Sequence, residues 1–116
     1  MQRGIRERTV KRGEIYYANL DGCQGSEIFG IRPVIVVQND IGNYHSPTTI
    51  VAPLSSKWKR PFPTQVVTNC IRGTSVIHLE QIRTIDKDRL LKFIVRADRD
   101  TMARVDEALK NSLELG

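Results

Sequence analysis

The feature that most restricts how this chain can fold is the six-residue run PVIVVQ at positions 33–38. β-Branched side chains fill four consecutive positions of this run, which is typical of a strand buried on both faces. A stretch with three glycines precedes it at residues 21–31, and a stretch rich in Asn, Gly and Pro follows at residues 39–47. Both flanks are predicted to be loops or turns. The sequence therefore predicts a central strand over residues 33–38.

The rest of the pattern predicts a mainly β (α+β) chain with one helix. Further strands are predicted where β-forming residues cluster between turn signals, at residues 14–20, 48–54, 64–69, 75–82 and 91–95. An amphipathic helix is predicted over residues 101–115, because side chains that can face a core recur every three or four positions: Met102, Val105, Ala108, Leu109, Ser112 and Leu113. Asp98 or Asp100 can cap its N-terminus. The predicted fold is a small antiparallel β-barrel with a C-terminal helix.

Length and composition predict one domain. A chain of 116 residues can close a single core. Residues 1–9 carry charge but almost nothing to bury, so they are predicted to be a basic flexible arm, with one domain over residues 10–116. No apolar run approaches the roughly 20 residues that a membrane span requires. The polar, basic N-terminus lacks the apolar region of a secretory signal, so we expect a cytoplasmic protein.

Positive charge is concentrated in the middle of the chain. Residues 41–79 carry four basic and no acidic side chains, which suits a polyanionic partner, although exposed lysines also serve solubility alone. Within this segment Lys57 and Trp58 belong to the run KWKR. Basic residues interleaved with an aromatic suit single-stranded nucleic acid, where bases stack and phosphates pair with cations. The alternative is a solvated loop whose tryptophan packs on the barrel.

Two candidate side chains lie at predicted strand ends. Pro33 restricts Arg32 to an extended backbone, where its guanidinium can fork onto a phosphate or pair with Glu27 or Asp40. Ser55 follows the next predicted strand, and its hydroxyl can hold a phosphate oxygen, orient a reacting hydroxyl or simply start a turn. No GxSxG motif surrounds it, so a serine nucleophile of the hydrolase type is not expected.

The third candidate is His78. Alternation along the predicted strand places it on the same face as Glu80, and an imidazole beside a carboxylate can act as a general acid or base. The alternative is a partly buried imidazole bonded to the backbone. The two histidines and two cysteines show no metal-ligand spacing, and no nucleotide-binding motif is present. The sequence thus predicts neither a metal nor another cofactor.

Several blocks of the sequence carry a resemblance to a known family: KRGEIY at 11–16, GSE at 25–27, GIRPVIVVQND at 30–40 and LEQIRTIDK at 79–87. Over roughly residues 10–114 the chain resembles the MazF/PemK toxin endoribonucleases, in particular the MazF toxins of Gram-positive bacteria. The resemblance implies a homodimer of SH3-like barrels that cleaves single-stranded RNA, chiefly mRNA, at a short sequence without a metal and so inhibits translation. It also implies inhibition by a MazE-like antitoxin.

In that family the 2′-hydroxyl of the substrate attacks the adjacent phosphate and leaves a 2′,3′-cyclic phosphate and a 5′-hydroxyl. By resemblance, Arg32 would stabilise charge on the pentavalent phosphate, and Ser55 would orient the 2′-hydroxyl or bond a phosphate oxygen. His78 is predicted to assist catalysis. The predicted RNA-binding residues are Ser26, Glu27, Lys57, Trp58, Glu80 and Gln81.

Two other functions stay open from the sequence. One is a non-catalytic, CcdB-like toxin that binds a gyrase, which the presence of both Arg32 and Ser55 argues against. The other is an SH3-like RNA-binding module that uses residues 57–60. Among the three, only the nuclease would leave cyclic-phosphate ends on RNA.

Overall fold

A computed structural model describes residues 9–22, 28–56 and 62–116. Within these ranges the elements follow in the order β1 (Glu14–Asn19), β2 (Ile31–Val36), α1 (Asp40–His45), β3 (Thr48–Ser55), β4 (Gln65–Thr68), β5 (Ser75–His78), β6 (Arg83–Asp86), β7 (Leu90–Arg96) and α2 (Arg99–Leu113). Single turns of 3-10 helix cover Leu79–Gln81 and Lys87–Arg89. The arm predicted over residues 1–9 lies, apart from Thr9, outside the described residues.

All strand pairs are antiparallel, in the order β4-β5-β3-β2-β1-β7, and β6 also pairs with β3. The first half of β3 pairs with β6, whereas Leu54 and Ser55 pair with β5. The change of neighbour falls at Ala52 and Pro53, where the proline has no N–H to give to a ladder. The pairings within the described ranges leave the sheet open between β4 and β7. The predicted mainly β, barrel-like fold with a C-terminal helix is confirmed.

Strand β2 has apolar neighbours on both faces. Ile35 belongs to a cluster between the sheet and α2, whereas Val34 and Val36 belong to a second cluster on the opposite face, and all three are fully buried. Successive side chains of a strand point to opposite faces, so a continuous apolar run can serve two cores at once. A doubly buried central strand is present as predicted, but it spans Ile31–Val36 instead of residues 33–38.

Helix α2 packs one face on the sheet. The Asp98 side chain accepts a hydrogen bond of 2.7 Å from the N–H of Thr101, so Asp98 is the N-cap. Thr101, Val105 and Ala108 are buried. The helix ends two residues before the predicted limit because Glu114 adopts the left-handed conformation, with φ of 57°, and closes the last turn.

Three local predictions differ from the structure. The sequence predicts a turn over residues 39–47, but Asn39 accepts the N–H of Gly42 and caps the short helix α1. The strand predicted over residues 75–82 is wrong beyond His78, where the chain enters a 3-10 turn. The sequence does not predict strand β6, because only Ile85 of its four residues is buried and no alternation is visible.

Candidate active site

The register of β3 and β5 brings Ser55 next to His78. Ser55 lies opposite Val76 in this antiparallel pair, which makes His78 its diagonal neighbour on the same face. Ser55 Oγ and His78 Nε2 are 2.8 Å apart. Both side chains are half-buried, so the hydroxyl–imidazole pair lies at a rim of the sheet where a substrate can reach it.

The second nitrogen of the imidazole meets a carboxylate. Glu80 Oε2 lies 3.1 Å from His78 Nδ1, in a contact made by the 3-10 turn that follows β5. Gln65, the direct partner of His78 across β4 and β5, donates from Nε2 to Glu80 Oε2 at 3.0 Å. The predicted proximity of His78 and Glu80 is therefore present, although the turn produces it rather than strand alternation.

The hydrogen-bond chemistry fixes the roles of the two imidazole nitrogens. A carboxylate only accepts, so Nδ1 of His78 carries the proton that faces Glu80, an assignment made from the network. In the neutral ring Nε2 then accepts the hydroxyl proton of Ser55. Partial burial raises the pKa of Glu80, but hydrogen bonds from Gln65, from its own backbone N–H and from His78 together hold that pKa below the ordinary 4.5. The carboxylate is thus ionised near neutral pH.

Arg32 lies on β2, the strand that pairs with β3. It lies two residues before Val34, which pairs with Pro53, and Ser55 lies two residues after Pro53. Arg32 is exposed, and its Nε donates to the carbonyl of Phe29 at 3.2 Å. This bond uses one of five guanidinium donors. The Phe29 carbonyl therefore binds the guanidinium through Nε, and the other four donors belong to an exposed side chain.

The alternative in which Arg32 pairs with Asp40 does not occur. Asp40 Oδ1 instead accepts the backbone N–H of Arg12 at 2.7 Å. No carboxylate among residues 9–22, 28–56 and 62–116 forms an ion pair with Arg32, and Glu27 lies outside these ranges. Among the described acids, none competes with a phosphate for this guanidinium.

Two arginines bind the backbone on either side of residues 23–27, a segment that includes the predicted RNA-binding residues Ser26 and Glu27. Arg89 Nη1 donates to the carbonyls of Asn19 and Asp21, at 3.0 and 2.7 Å. Arg83 Nη2 donates to the carbonyl of Ile28 at 3.0 Å. The backbone on both sides of residues 23–27 is thereby fixed to β6 and the turn after it.

Four of the predicted RNA-binding residues, Ser26, Glu27, Lys57 and Trp58, lie outside the described residues. Glu80 and Gln81 lie in the 3-10 turn beside His78. Gln81 is half-buried, and its Oε1 has no hydrogen-bond partner among the residues that the structure describes. Contact of these residues with RNA stays a prediction.

Sequence reasoning missed Gln65. A single polar residue at the start of a four-residue strand carries no local signal of function. Only the pairing of β4 with β5 sets it opposite His78. The sole available signal was the combined register of two strand pairs, which a single sequence does not specify.

Within the described part of the chain, no group of three or more His, Cys, Asp or Glu side chains is arranged to hold a metal ion. None of the helices described here combines the length and the apolar character that crossing a membrane requires.

The chain thus combines a mainly β fold and a C-terminal helix with a hydroxyl–imidazole–carboxylate chain at the end of β3. The profile described as "PemK-like, MazF-like toxin of type II toxin-antitoxin system" matches residues 11–113. The chain belongs to this family, which confirms the resemblance drawn from the sequence.

Individual relatives agree with this assignment. The chain is 51% identical over 111 residues to "Endoribonuclease EndoA" of Bacillus subtilis (strain 168), covering 91% of this chain and 96% of the relative. Its structure matches a mycobacterial "Endoribonuclease in complex with its cognate antitoxin" with a TM-score of 0.79 at 25% identity, over 92% of this chain and 97% of the other. It also matches MazF of Deinococcus radiodurans with a TM-score of 0.81 at 21% identity, over 94% and 100% of the two chains, a likeness of fold.

Proposed function

We propose that this protein is the toxin of a type II toxin–antitoxin system and cleaves single-stranded RNA, chiefly mRNA, at a short recognised sequence. The observation that carries the proposal is the hydrogen-bonded chain from Ser55 through His78 to Glu80. Arg32 lies on β2, the strand that pairs with β3. The name of the Bacillus subtilis relative, an endoribonuclease, supports the same reaction class. Cleavage of mRNA would inhibit translation.

The reaction is an internal transesterification that needs no protein nucleophile. The 2′-hydroxyl oxygen forms a bond to the adjacent phosphorus, and the bond from phosphorus to the 5′-oxygen breaks. The proton of the 2′-hydroxyl passes to His78 Nε2, directly or through the Ser55 hydroxyl. The departing 5′-oxygen takes up one proton from the solvent and His78 releases one to it, so the protons balance. The products are a 2′,3′-cyclic phosphate and a 5′-hydroxyl, with no atom gained from water or metal.

Each catalytic side chain has a separate task. Arg32 stabilises the negative charge that builds on the equatorial phosphate oxygens, an electrostatic contribution often worth about 10²–10³-fold in rate for one such donor. Ser55 orients the 2′-hydroxyl or bonds a phosphate oxygen. His78 is the general base, and Glu80 stabilises the imidazolium that forms after proton transfer, because its carboxylate faces Nδ1.

Six residues are assigned to RNA binding. Lys57 and Trp58 would pair with phosphates and stack on a base, and the lack of any acid in residues 41–79 supports a polyanionic ligand. By the family resemblance Ser26 and Glu27 would also contact RNA, and Glu80 and Gln81 would contact it beside His78. The bases that these residues select define the recognised sequence.

The remaining assignments follow the family. We include a homodimer, a MazE-like antitoxin as inhibitory partner and a cytoplasmic location, where mRNA is available. The mycobacterial neighbour is in complex with its cognate antitoxin, which supports the assignment of an antitoxin partner. We further propose that residues 10–116 form one domain and that residues 1–9 are an accessory basic arm.

The test is incubation of the purified protein with a long RNA in excess EDTA, followed by analysis of the new ends. We expect a small set of cuts, each with a 2′,3′-cyclic phosphate and a 5′-hydroxyl. Binding without cleavage would instead indicate an RNA-binding module, and neither binding nor cleavage would favour a CcdB-like, gyrase-directed toxin. Cleavage that requires a divalent cation would contradict the mechanism.

A further inference from the structure

We infer that Gln65 is a positioning residue for the proposed ribonuclease reaction, acting through Glu80 and His78. It holds the Glu80 carboxylate against Nδ1 of His78 and thereby keeps Nε2 available to accept a proton through or beside Ser55. The inference rests on the proposed function for its effect on rate. Its structural part, the proton placement on His78, stands on geometry alone.

The contacts of Gln65 fix which end of its amide faces the carboxylate. Oε1 accepts the backbone N–H of Phe62 at 3.2 Å, and Nε2 donates to Glu80 Oε2 at 3.0 Å. The flipped amide would place two donors face to face at Phe62 and an oxygen against the Glu80 carboxylate. Only one orientation is therefore compatible with both neighbours, and in it Gln65 is a donor to Glu80.

The same amide lies beside the imidazole. Gln65 Nε2 is 3.4 Å from His78 Nδ1, a longer separation than the 3.1 Å between Nδ1 and Glu80 Oε2. Nδ1 cannot accept from Gln65 while it donates to Glu80, so the longer contact is proximity rather than a bond. Gln65 thus acts on His78 through Glu80, which receives a donor from each of them.

A rigid turn holds Gln65 in place. Its backbone N–H donates to the carbonyl of Phe62 at 2.9 Å, closing a four-residue turn with Pro63 at its second position. Asn111 of α2 anchors the same turn through a bond of 3.1 Å to the carbonyl of Pro63. The amide is therefore positioned before substrate arrives, which lowers the cost of ordering the Glu80 carboxylate.

The Glu80 carboxylate needs the hydrogen bond from Gln65 because water can also bind this carboxylate. The Glu80 side chain is 33% exposed, against 12% for the imidazole that it contacts. Burial raises the pKa of Glu80, and the hydrogen bond from Gln65 helps to hold that pKa below the ordinary 4.5. Without Gln65 the carboxylate can turn toward solvent, and the proton of His78 is then free to occupy Nε2. In that tautomer Nε2 donates to Ser55 and can no longer accept a proton at this nitrogen.

The test combines Gln65→Met with two readouts on the full-length protein. The ¹⁵N chemical shifts of the His78 imidazole report the tautomer without RNA, and rates on a defined RNA give kcat and KM separately. We expect a shift from the Nδ1–H to the Nε2–H form and a fall in kcat of about 10-fold with KM little changed. Such a loss is a fraction of the roughly 10²–10⁴-fold that positioned proton transfer supplies.

Two further variants separate positioning from support of the fold. Asn69→Met makes a similar change at an exposed position just after the far end of β4, and we expect wild-type tautomer and kcat. Gln65→Ala removes the same donor to Glu80 with a smaller side chain, so it should reproduce the Gln65→Met tautomer shift. This second Gln65 variant tests the positioning role if the Gln65→Met protein does not fold.

A wild-type tautomer with wild-type kcat in a folded Gln65 variant would overturn the inference and leave the proposed function intact. A wild-type protein that fails to cleave RNA would instead overturn the proposed function. The tautomer shift in Gln65→Met and Gln65→Ala would still decide the structural part of the inference.

Discussion

Ser55 Oγ and His78 Nε2 are 2.8 Å apart although 23 positions separate the two residues in the chain. The proximity arises because β3 leaves β6 and pairs with β5 over its last two residues. A curved sheet of this kind brings two strand ends to one rim, and there the imidazole connects a hydroxyl to a carboxylate. In the proposed reaction the nucleophile is the 2′-hydroxyl of the RNA itself, so the protein needs only to accept the proton of that hydroxyl and to stabilise the charge on the phosphate.

Replacement of Arg32 tests the electrostatic part of the mechanism. We expect Arg32→Ala to lower kcat by about 10²–10³-fold, because one donor to the charged transition state is lost. The fold should survive, since the side chain is exposed. Single-turnover cleavage and circular dichroism measure the two effects. Arg99→Ala, at an exposed position of α2, is the matched control and should cleave normally.

Arg32→Lys keeps the charge but loses the planar fork, so it should retain only part of the activity. An Arg32→Ala protein that cuts at the wild-type rate would refute the role assigned to this arginine.

Replacement of His78 tests whether the imidazole takes part in proton transfer. We expect His78→Ala to lower kcat by about 10²-fold or more and to change the pH–rate profile, because a positioned general base supplies an effect of this order. RNA affinity should change little. An unchanged rate and an unchanged profile would show that His78 is a partly buried structural residue.

Ser55→Ala should lower the rate without preventing RNA binding. Because Ser55 and His78 share one proton, the double variant Ser55→Ala, His78→Ala should lose less than the product of the two single losses. Independent, multiplicative losses would argue that the hydroxyl and the imidazole act separately.

The buried amide of Asn43 is predicted to stabilise the fold. Its Oδ1 accepts from Thr49 Oγ1 at 2.6 Å and from Gln38 Nε2 at 3.0 Å, and its Nδ2 donates to the Gln38 backbone carbonyl at 2.9 Å. The backbone carbonyl of Asn43 accepts a further bond from Lys87 Nζ. Asn43→Ala should lower the free energy of unfolding by about 1–3 kcal/mol, because buried polar partners lose their bonds. Urea denaturation measures the change.

The matched control is Asn69→Ala, at an exposed position, where surface substitutions usually change stability by less than about 0.5 kcal/mol. Equal stability of the Asn43 and Asn69 variants would contradict the assignment of the buried network.

Asp40 is predicted to make stability depend on pH in the acid range. The backbone N–H of Arg12 is the main cause that lowers the pKa of Asp40 below the ordinary 3.8; burial opposes this, and the amide of Asn43 assists it. Between the lowered pKa and 3.8 the unfolded chain binds more protons, so stability rises with pH. The contribution of Asp40 is therefore present above pH 3.8 and is lost as the pH falls through the folded pKa.

Urea midpoints of the wild type and Asp40→Asn should differ by a constant amount from about pH 7 to about pH 5 and converge below 3.8. Glu107→Gln, at an exposed position of α2, is the control for charge removal. A difference that stays constant down to about pH 2 would show that the ionisation of Asp40 is not linked to folding.

Strong local patterns account for the parts of the fold that the sequence predicts correctly. The run around Val34, Ile35 and Val36 identifies a doubly buried strand because every position is apolar. The spacing of Val105 and Ala108 identifies the face that α2 buries. In both cases the local pattern and the tertiary packing agree, so one sequence suffices.

The failures lie where tertiary contacts decide the structure. Residues around Gly42 and Asn43 are typical of a turn, yet the Asn39 cap and the buried amide of Asn43 favour a short helix. β6 exists because β3 offers it a pairing edge, which its own residues do not signal. The sequence identifies Arg32, Ser55 and His78 as separate candidates, but their common location depends on strand register, and only that register reveals Gln65.

The most direct test of the account uses an RNA in which a single 2′-deoxynucleotide replaces the ribonucleotide before the mapped cut. The mechanism requires that ribose hydroxyl as nucleophile, so this RNA should bind with the affinity of the all-ribose substrate and remain uncut at that site in EDTA. Cleavage of the deoxy-substituted bond at the normal rate would contradict the account, because the attacking oxygen would then come from water or from the protein.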